Sequence, residues 1–267
     1  MKARIDDVQL AYTDEGNGIP IVFVHAFPFG KAMWEPQVKD LSKQFRVIAA
    51  DLRGHGESDA GYPPGGCGRY TMEQFADDLK GLLDHLSLPQ AVMAGLSMGG
   101  YILFAFYRKY AERVRALILA DTRAQADTQE GKAGRIAMAQ LLYKEGAPAI
   151  ADAMMPKLLS PAALQGRLDL VQRVRDIITG NQLSGIAGDL MAMRDRPDSV
   201  ALLKQITCPT LVIVGEQDIG TPPSDARLMA DNIPGARLEI IPGAGHMSNL
   251  EQPDAFNRAI RSFLASL

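Results

Sequence analysis

Cysteine is nearly absent from this chain: among 267 residues there are two, Cys67 and Cys208. Two thiols cannot build the disulfide framework of a small secreted protein, and no zinc-type spacing exists. Nothing in the sequence calls for a metal or cofactor. A surplus of basic charge is missing as well. Lys and Arg number 28 against 31 Asp and Glu, for a net charge of −3. With no Lys/Arg run and no interleaving of aromatic with basic residues, nucleic acid is not an expected partner. No apolar segment reaches the roughly 18 residues of a membrane span. The start, Met1-Lys2-Ala3-Arg4-Ile5-Asp6-Asp7, puts acids where a signal peptide has its apolar core. The expected location is therefore the cytoplasm. Internal repeats and low-complexity tracts are lacking too.

What is present is a regular alternation of strand-like and helix-like segments. Candidate strands are Val8–Thr13, Pro20–His25, Arg46–Asp51, Ala91–Leu96, Arg115–Ala120, Pro209–Gly215 and Arg237–Ile241. Several are unbroken apolar runs such as Ile21-Val22-Phe23-Val24, the pattern of parallel strands covered on both faces. Helical patterns over Thr71–Leu86, Met98–Tyr110 and Pro253–Leu264 lie between or after them. Thr71 with Gln74 is a capping-box candidate, and Pro253 suits a first helical turn. The expected fold class is α/β, a mostly parallel sheet flanked by helices. Residues 123–205 break the alternation. Helix-like stretches at Lys132–Lys144, Ala147–Leu159, Pro161–Thr179 and Gly185–Arg194 predict a helical cap inserted into a core of residues 1–122 and 206–267. Gly61–Gly68 reads as a loop.

The pentapeptide Gly95-Leu96-Ser97-Met98-Gly99 joins a strand to a helix. This is the setting of a nucleophile elbow, where a sharp turn crowds the serine's neighbours and glycine at both flanks relieves the crowding. A serine hydroxyl needs a base, most often histidine near neutral pH. Of the four histidines, only His246 follows Ser97, in the loop Gly243-Ala244-Gly245-His246 after a strand. The base needs an acid to fix its tautomer and stabilise the imidazolium. Asp218, after Leu211-Val212-Ile213-Val214-Gly215, is the favoured candidate; Asp121, at the end of Ala116–Ala120, is the alternative. An acyl-transfer oxyanion needs two donors. The N–H of Met98 follows the nucleophile, and the N–H of Phe27 in the His25-Ala26-Phe27-Pro28 loop is the expected second, since Pro28 has none. His85 reads as a solvated helix face.

Phe23-Val24-His25-Ala26-Phe27-Pro28, Asp51-Leu52-Arg53-Gly54-His55-Gly56, Gly95–Gly100, Gly215-Glu216-Gln217-Asp218 and Gly243–His246 resemble, in order and spacing, the successive motifs of the α/β-hydrolase family. The likeness spans nearly the whole chain except the cap. It is nearest to the carboxylesterase, enol-lactonase and cofactor-free haloperoxidase branch, and Thr221-Pro222-Pro223 is similar to the enol-lactonases. The resemblance implies structural roles for Asp51 and Arg53. Ala26 departs from it, standing where most relatives carry Gly after the His.

The leading expectation is a serine hydrolase of small carboxylic esters, without cofactor, acting on a small-molecule ester or lactone. An enol-lactonase or other lactonase is the alternative, and a dicarboxylate-type lactone would want a cation from the cap, with Arg135, Arg167, Arg173, Arg175 and Arg194 as candidates. Perhydrolase activity is a third outcome. A ligand receptor on the same fold, distinguished by slow turnover and ligand-dependent stabilisation, is a fourth. Met138, Met154, Met155, Met191 and Met193 are supple apolar side chains available either to an acyl site or to packing of the cap helices.

Overall fold

The computed structural model describes residues 1–61 and 70–267; residues 62–69, with Cys67 and most of the Gly61–Gly68 loop, lie outside the described residues. Among the described residues, eight strands form one sheet: β1 (Lys2–Ile5), β2 (Val8–Glu15), β3 (Pro20–Val24), β4 (Arg46–Ala50), β5 (Ala91–Leu96), β6 (Val114–Ala120), β7 (Thr210–Gly215) and β8 (Arg237–Ile241). Their order is β1-β2-β4-β3-β5-β6-β7-β8. β2 pairs antiparallel with β1 and β4, and every pairing from β4 to β8 is parallel. The seven expected strands are present with ends shifted by at most two residues. β1 has no counterpart in the sequence reading. Its four residues are too few for a pattern to stand out, and it turns into β2 through Asp6-Asp7, with Asp6 at φ +45°.

Side chains of a strand alternate between faces, and both faces here are covered. Val22 and Val24 of β3 join one cluster with Phe75, Leu79, Ile102 and Phe106. Ile21 and Phe23 join the other with Trp34, Phe256 and Ile260. The first cluster is roofed by helices α2 (Met72–His85) and α3 (Met98–Tyr110), the second by α1 (Glu35–Leu41) and a C-terminal helix, Pro253–Leu264. At the start of α2, Thr71 Oγ1 accepts from the N–H of Gln74 at 3.0 Å, while His85 is exposed at its end.

Between β6 and β7 the chain forms α4 (Gln129–Leu158), α5 (Pro161–Gly166), α6 (Leu168–Thr179), α7 (Leu183–Asp195) and α8 (Val200–Leu203). Gly146, at φ +81°, divides α4 into two helices. The expected single helix over Pro161–Thr179 is interrupted at Arg167 (φ −126°, ψ 69°). Three helices complete the chain: α9 (Pro223–Asn232), α10 (Ser248–Glu251) and α11 (Pro253–Leu264). No helical pattern in the sequence marks α1, α8, α9 or α10, all of them short.

The inserted helices are fastened to the sheet by buried polar contacts. Asn181 donates to Pro28 O at 2.8 Å and accepts from the N–H of Gly56 at 2.8 Å. Asp189 of α7 and His55 are both fully buried, with Nε2 of His55 3.0 Å from the carboxylate. Gly54 and Gly185 meet backbone to backbone: a Cβ on Gly185 would lie 2.1 Å from Gly54 O. No described helix is long and apolar enough to cross a membrane.

Candidate active site

The turn from β5 into α3 is strained at its serine. Ser97 has φ +55° and ψ −113°, a backbone that residues with a Cβ rarely adopt. Neighbouring chains press close on this turn. A Cβ on Gly99 would stand 2.3 Å from Val24 O, and one on Gly95 2.5 Å from the carbonyl carbon of Gly99. Hydrogen bonds fix the strained residue from both sides: its N–H donates to Ala120 O at 2.9 Å, and Thr122 Oγ1 donates to its carbonyl at 2.7 Å. Ser97 is half-buried and lines a cavity of about 470 Å³ together with Phe27, Tyr101 and His246.

His246 is held by the acid loop after β7. Its Nδ1 lies 2.8 Å from Asp218 Oδ2. Asp218 is saturated with donors, for its Oδ1 accepts the N–H groups of Gly220 (2.7 Å) and Thr221 (2.9 Å) and its Oδ2 accepts Thr221 Oγ1 at 2.7 Å. Burial opposes ionisation of this carboxyl, but the charge and hydrogen bond of His246 and the Thr221 donors outweigh it and hold Asp218 below the usual carboxylate range. Burial likewise opposes a charge on His246. The Asp218 carboxylate prevails, with a smaller contribution from Asp121, so the imidazole sits above its ordinary value. With Nδ1 donating to Asp218, Nε2 carries the lone pair.

Asp121 takes a different place. It is wholly buried, accepts the N–H of Gly215 at 2.7 Å and the hydroxyl of Ser248, and is absent from the cavity wall. It therefore ties the end of β6 to the end of β7 and to the start of α10. Burial and the charge of Asp218 push its carboxyl well above the usual range.

The loop after β3 is braced around Phe27. His25 is fully buried, with Nδ1 2.9 Å from Ala26 O and Nε2 accepting the N–H of Leu52 at 3.0 Å, so both ring nitrogens are engaged. Burial and the neighbouring His55 keep His25 well below its ordinary value, hence neutral. The N–H of Phe29 also donates to Ala26 O, at 2.9 Å. Ala26 is buried and not in the left-handed region, so its methyl group fits without the strain that would demand glycine. Asp51 accepts from Lys31 and from the N–H of Glu57, and Arg53 pairs with Asp78 and Asp7; both tie loops together.

The structure sorts the candidates from the inserted helices. Met138, Met154 and Met193 line the cavity, whereas Met155 is buried in the cluster with Trp34 and Phe256 and Met191 packs against the one with Phe75 and Ile102. Arg135 lines the cavity. Arg167 donates to Glu251 O, and Arg173, Arg175 and Arg194 pair with Glu35, Asp152 and Asp195 away from it. The sequence assigned no role to Arg123 and Lys157, which stand in the cavity wall, or to Thr221, which hydrogen-bonds Asp218. Glu251 accepts from the N–H groups of Gly245 (2.7 Å) and Ser160 (3.0 Å), joining the histidine loop to the inserted helices. The local signal in the acid loop is Asp218 itself, whose side chain accepts the N–H of the residue two places on, Gly220, as in an Asx turn.

Comparison with known proteins agrees with this architecture. A family model described as alpha/beta hydrolase fold matches residues 19–146, and one described as TAP-like protein matches residues 191–267. The chain is 30% identical to the 3-oxoadipate enol-lactonase 2 of Acinetobacter baylyi, over 97% of this chain and 94% of that one. Among solved structures, a thermophilic esterase from Thermogutta terrifontis with malate bound superposes with a TM-score of 0.95 at 41% identity, covering 100% of this chain and 98% of that one. The enol-lactonase from Burkholderia xenovorans superposes with a TM-score of 0.91 at 32% identity, covering 99% and 100%. The elbow, the parallel sheet and these likenesses together make the chain a member of the α/β-hydrolase family of enzymes.

Proposed function

We propose that this hydrolase cleaves small carboxylic esters through an acyl-enzyme on Ser97, with His246 as base and Asp218 as the acid that orients it. The observation that carries the reading is the meeting of Ser97 and His246 in one cavity, with Asp218 2.8 Å from Nδ1 of the imidazole. Ser97 Oγ attacks the acyl carbon as its proton passes to Nε2 of His246. The oxyanion forms against the N–H groups of Phe27 and Met98. His246 then gives the proton to the leaving alcohol, and water repeats the sequence to release the acid and restore the serine. Residues 1–122 and 206–267 act as the catalytic core and 123–205 as a cap, which contributes Met138, Met154 and Lys157 to the cavity. A volume of about 470 Å³ suits a small ligand. No step requires a metal or cofactor.

A lactone is an ester closed on itself, and the same residues open it. The likeness to two enol-lactonases and the cations in the cavity wall favour this as the second reading. The test is hydrolysis of p-nitrophenyl esters from acetate to decanoate by wild type and Ser97→Ala. Turnover of short chains that falls on the order of 10⁶-fold in the variant is expected. Turnover that survives Ser97→Ala would refute the assignment.

A further inference from the structure

His246 stands on a loop that is gripped from two sides. On the side of the acid, the N–H of Gln217 donates to Ala244 O at 2.8 Å. The end of β7 packs so close there that a Cβ on Gly215 would lie 2.0 Å from Gly245 O. On the other side is the junction of α4 and α5. The N–H of Met247 donates to Leu158 O at 2.9 Å. The N–H of Gly245, in the histidine loop, and the N–H of Ser160, at the junction, converge on the two carboxylate oxygens of Glu251, at 2.7 and 3.0 Å. The two segments touch, since a Cβ on Gly245 would lie 2.7 Å from the Ser160 nitrogen. Glu251 is buried and lies outside the cavity wall. An apolar side chain could fill its space without the cost of desolvating a carboxyl group. What the carboxylate adds is two acceptors at a fixed separation, which hold two backbone segments in register.

We infer that Glu251 is a positioning residue: by clasping Gly245 to Ser160 it fixes His246 against Asp218 and makes that placement depend on the inserted helices. Its value to acyl transfer rests on the ester-hydrolase reading, whereas the placement itself can be read without turnover. Glu251 touches no reacting atom. It acts through the next loop, where the imidazole must keep Nδ1 2.8 Å from Asp218 and still share the cavity with Ser97.

The first variant is Glu251→Gln. The amide keeps the shape but offers one acceptor and one donor, so an NH₂ group meets one of the two N–H groups. On a short p-nitrophenyl ester kcat should fall by about 10- to 100-fold, the scale of an ångström-sized misplacement, with a smaller change in KM. The acid limb of kcat/KM should move to lower pH. Burial and Arg123 lower the imidazole, Asp218 and Asp121 raise it by more, and that net elevation fades toward 6.5 as the ring leaves Asp218. Glu251→Gln also removes a charge. Ser160→Pro keeps the charge and removes the N–H that Glu251 accepts from the junction. Ser160 already has φ −63° and ψ 154°, which proline adopts, and Leu159 before it is extended. This second variant should move kcat and the limb in the same direction. Thr71→Ala, which deletes an N-cap away from the site, should lower the urea midpoint and leave kcat and the limb unchanged. Either clasp variant, folded, with the kcat and limb of wild type overturns the inference and leaves the ester-hydrolase reading standing; a limb that moves in Glu251→Gln alone reports the lost charge. If wild type cleaves no ester, that reading falls, and an NMR titration of the His246 ring decides the placement: a pKa lowered by Ser160→Pro supports it, and an unchanged one overturns it.

Discussion

Replacing Asp218 with Asn changes one atom and should cost nearly all activity. Four donors converge on the carboxylate: the N–H groups of Gly220 and Thr221 on Oδ1, and Thr221 Oγ1 with His246 Nδ1 on Oδ2. The backbone donors cannot turn away, so the amide oxygen must stay on their side. The new NH₂ group then points at Thr221 Oγ1 and His246 Nδ1. The threonine hydroxyl can rotate to accept. The imidazole can accept only by moving its proton to Nε2, and it then presents a donor to Ser97 instead of a base. In a serine triad that tautomer switch lowers kcat by about 10⁴, or about 5.4 kcal/mol at 1.36 kcal/mol per decade. The comparator is Asp121→Asn. Asp121 contacts Gly215 and Ser248, not the imidazole, and lies outside the cavity wall, so this variant should keep kcat within about tenfold. The assay is kcat on a short p-nitrophenyl ester, with the urea midpoint recorded to show that each variant is folded. Asp218→Asn within about tenfold of wild type, with Asp121→Asn down by about 10³, would refute the reasoning.

Two further outcomes follow from the same geometry. In the proposed mechanism His246 acts as a neutral base, and Asp218 holds its pKa above the ordinary value of 6.5, so kcat/KM should fall as pH drops through a value above 6.5. In Asp218→Asn that limb should move to lower pH, because the charge that raises it is gone; a pH profile of both proteins checks the direction. Gly99→Ala would place a Cβ 2.3 Å from Val24 O and 3.2 Å from His25 O, forcing apart backbone that leads into the Phe27 loop. It should destabilise by about 1–3 kcal/mol and lower kcat more than it raises KM; a wild-type urea midpoint would contradict the tight packing of the elbow.

The parallel sheet was legible because strands buried on both faces are unbroken apolar runs: β3, β5 and β7 contain little else. The elbow was legible because its glycines answer a local demand for space at Ser97. Short amphipathic pieces were less visible. α9 opens after Thr221-Pro222 and runs ten residues, too few for its periodicity to stand out from a loop. β1 is four residues long and takes its meaning from pairing with β2.

The sequence by itself determined the chain order of serine, acid and histidine, the strand that each follows, and the helical character of the stretch between β6 and β7. These are local properties, carried by apolar periodicity, caps and glycines within a few residues. Only the tertiary structure decided which carboxylate meets the imidazole. Asp121 and Asp218 both follow strands, yet the first turns to Gly215 and Ser248 and the second to His246. It likewise decided that Arg123, Arg135 and Lys157 share one cavity while the five other arginines of residues 123–205 do not. Neither outcome is periodic or local. Each depends on the direction a side chain takes where segments far apart in sequence cross, and that direction is set by packing between them.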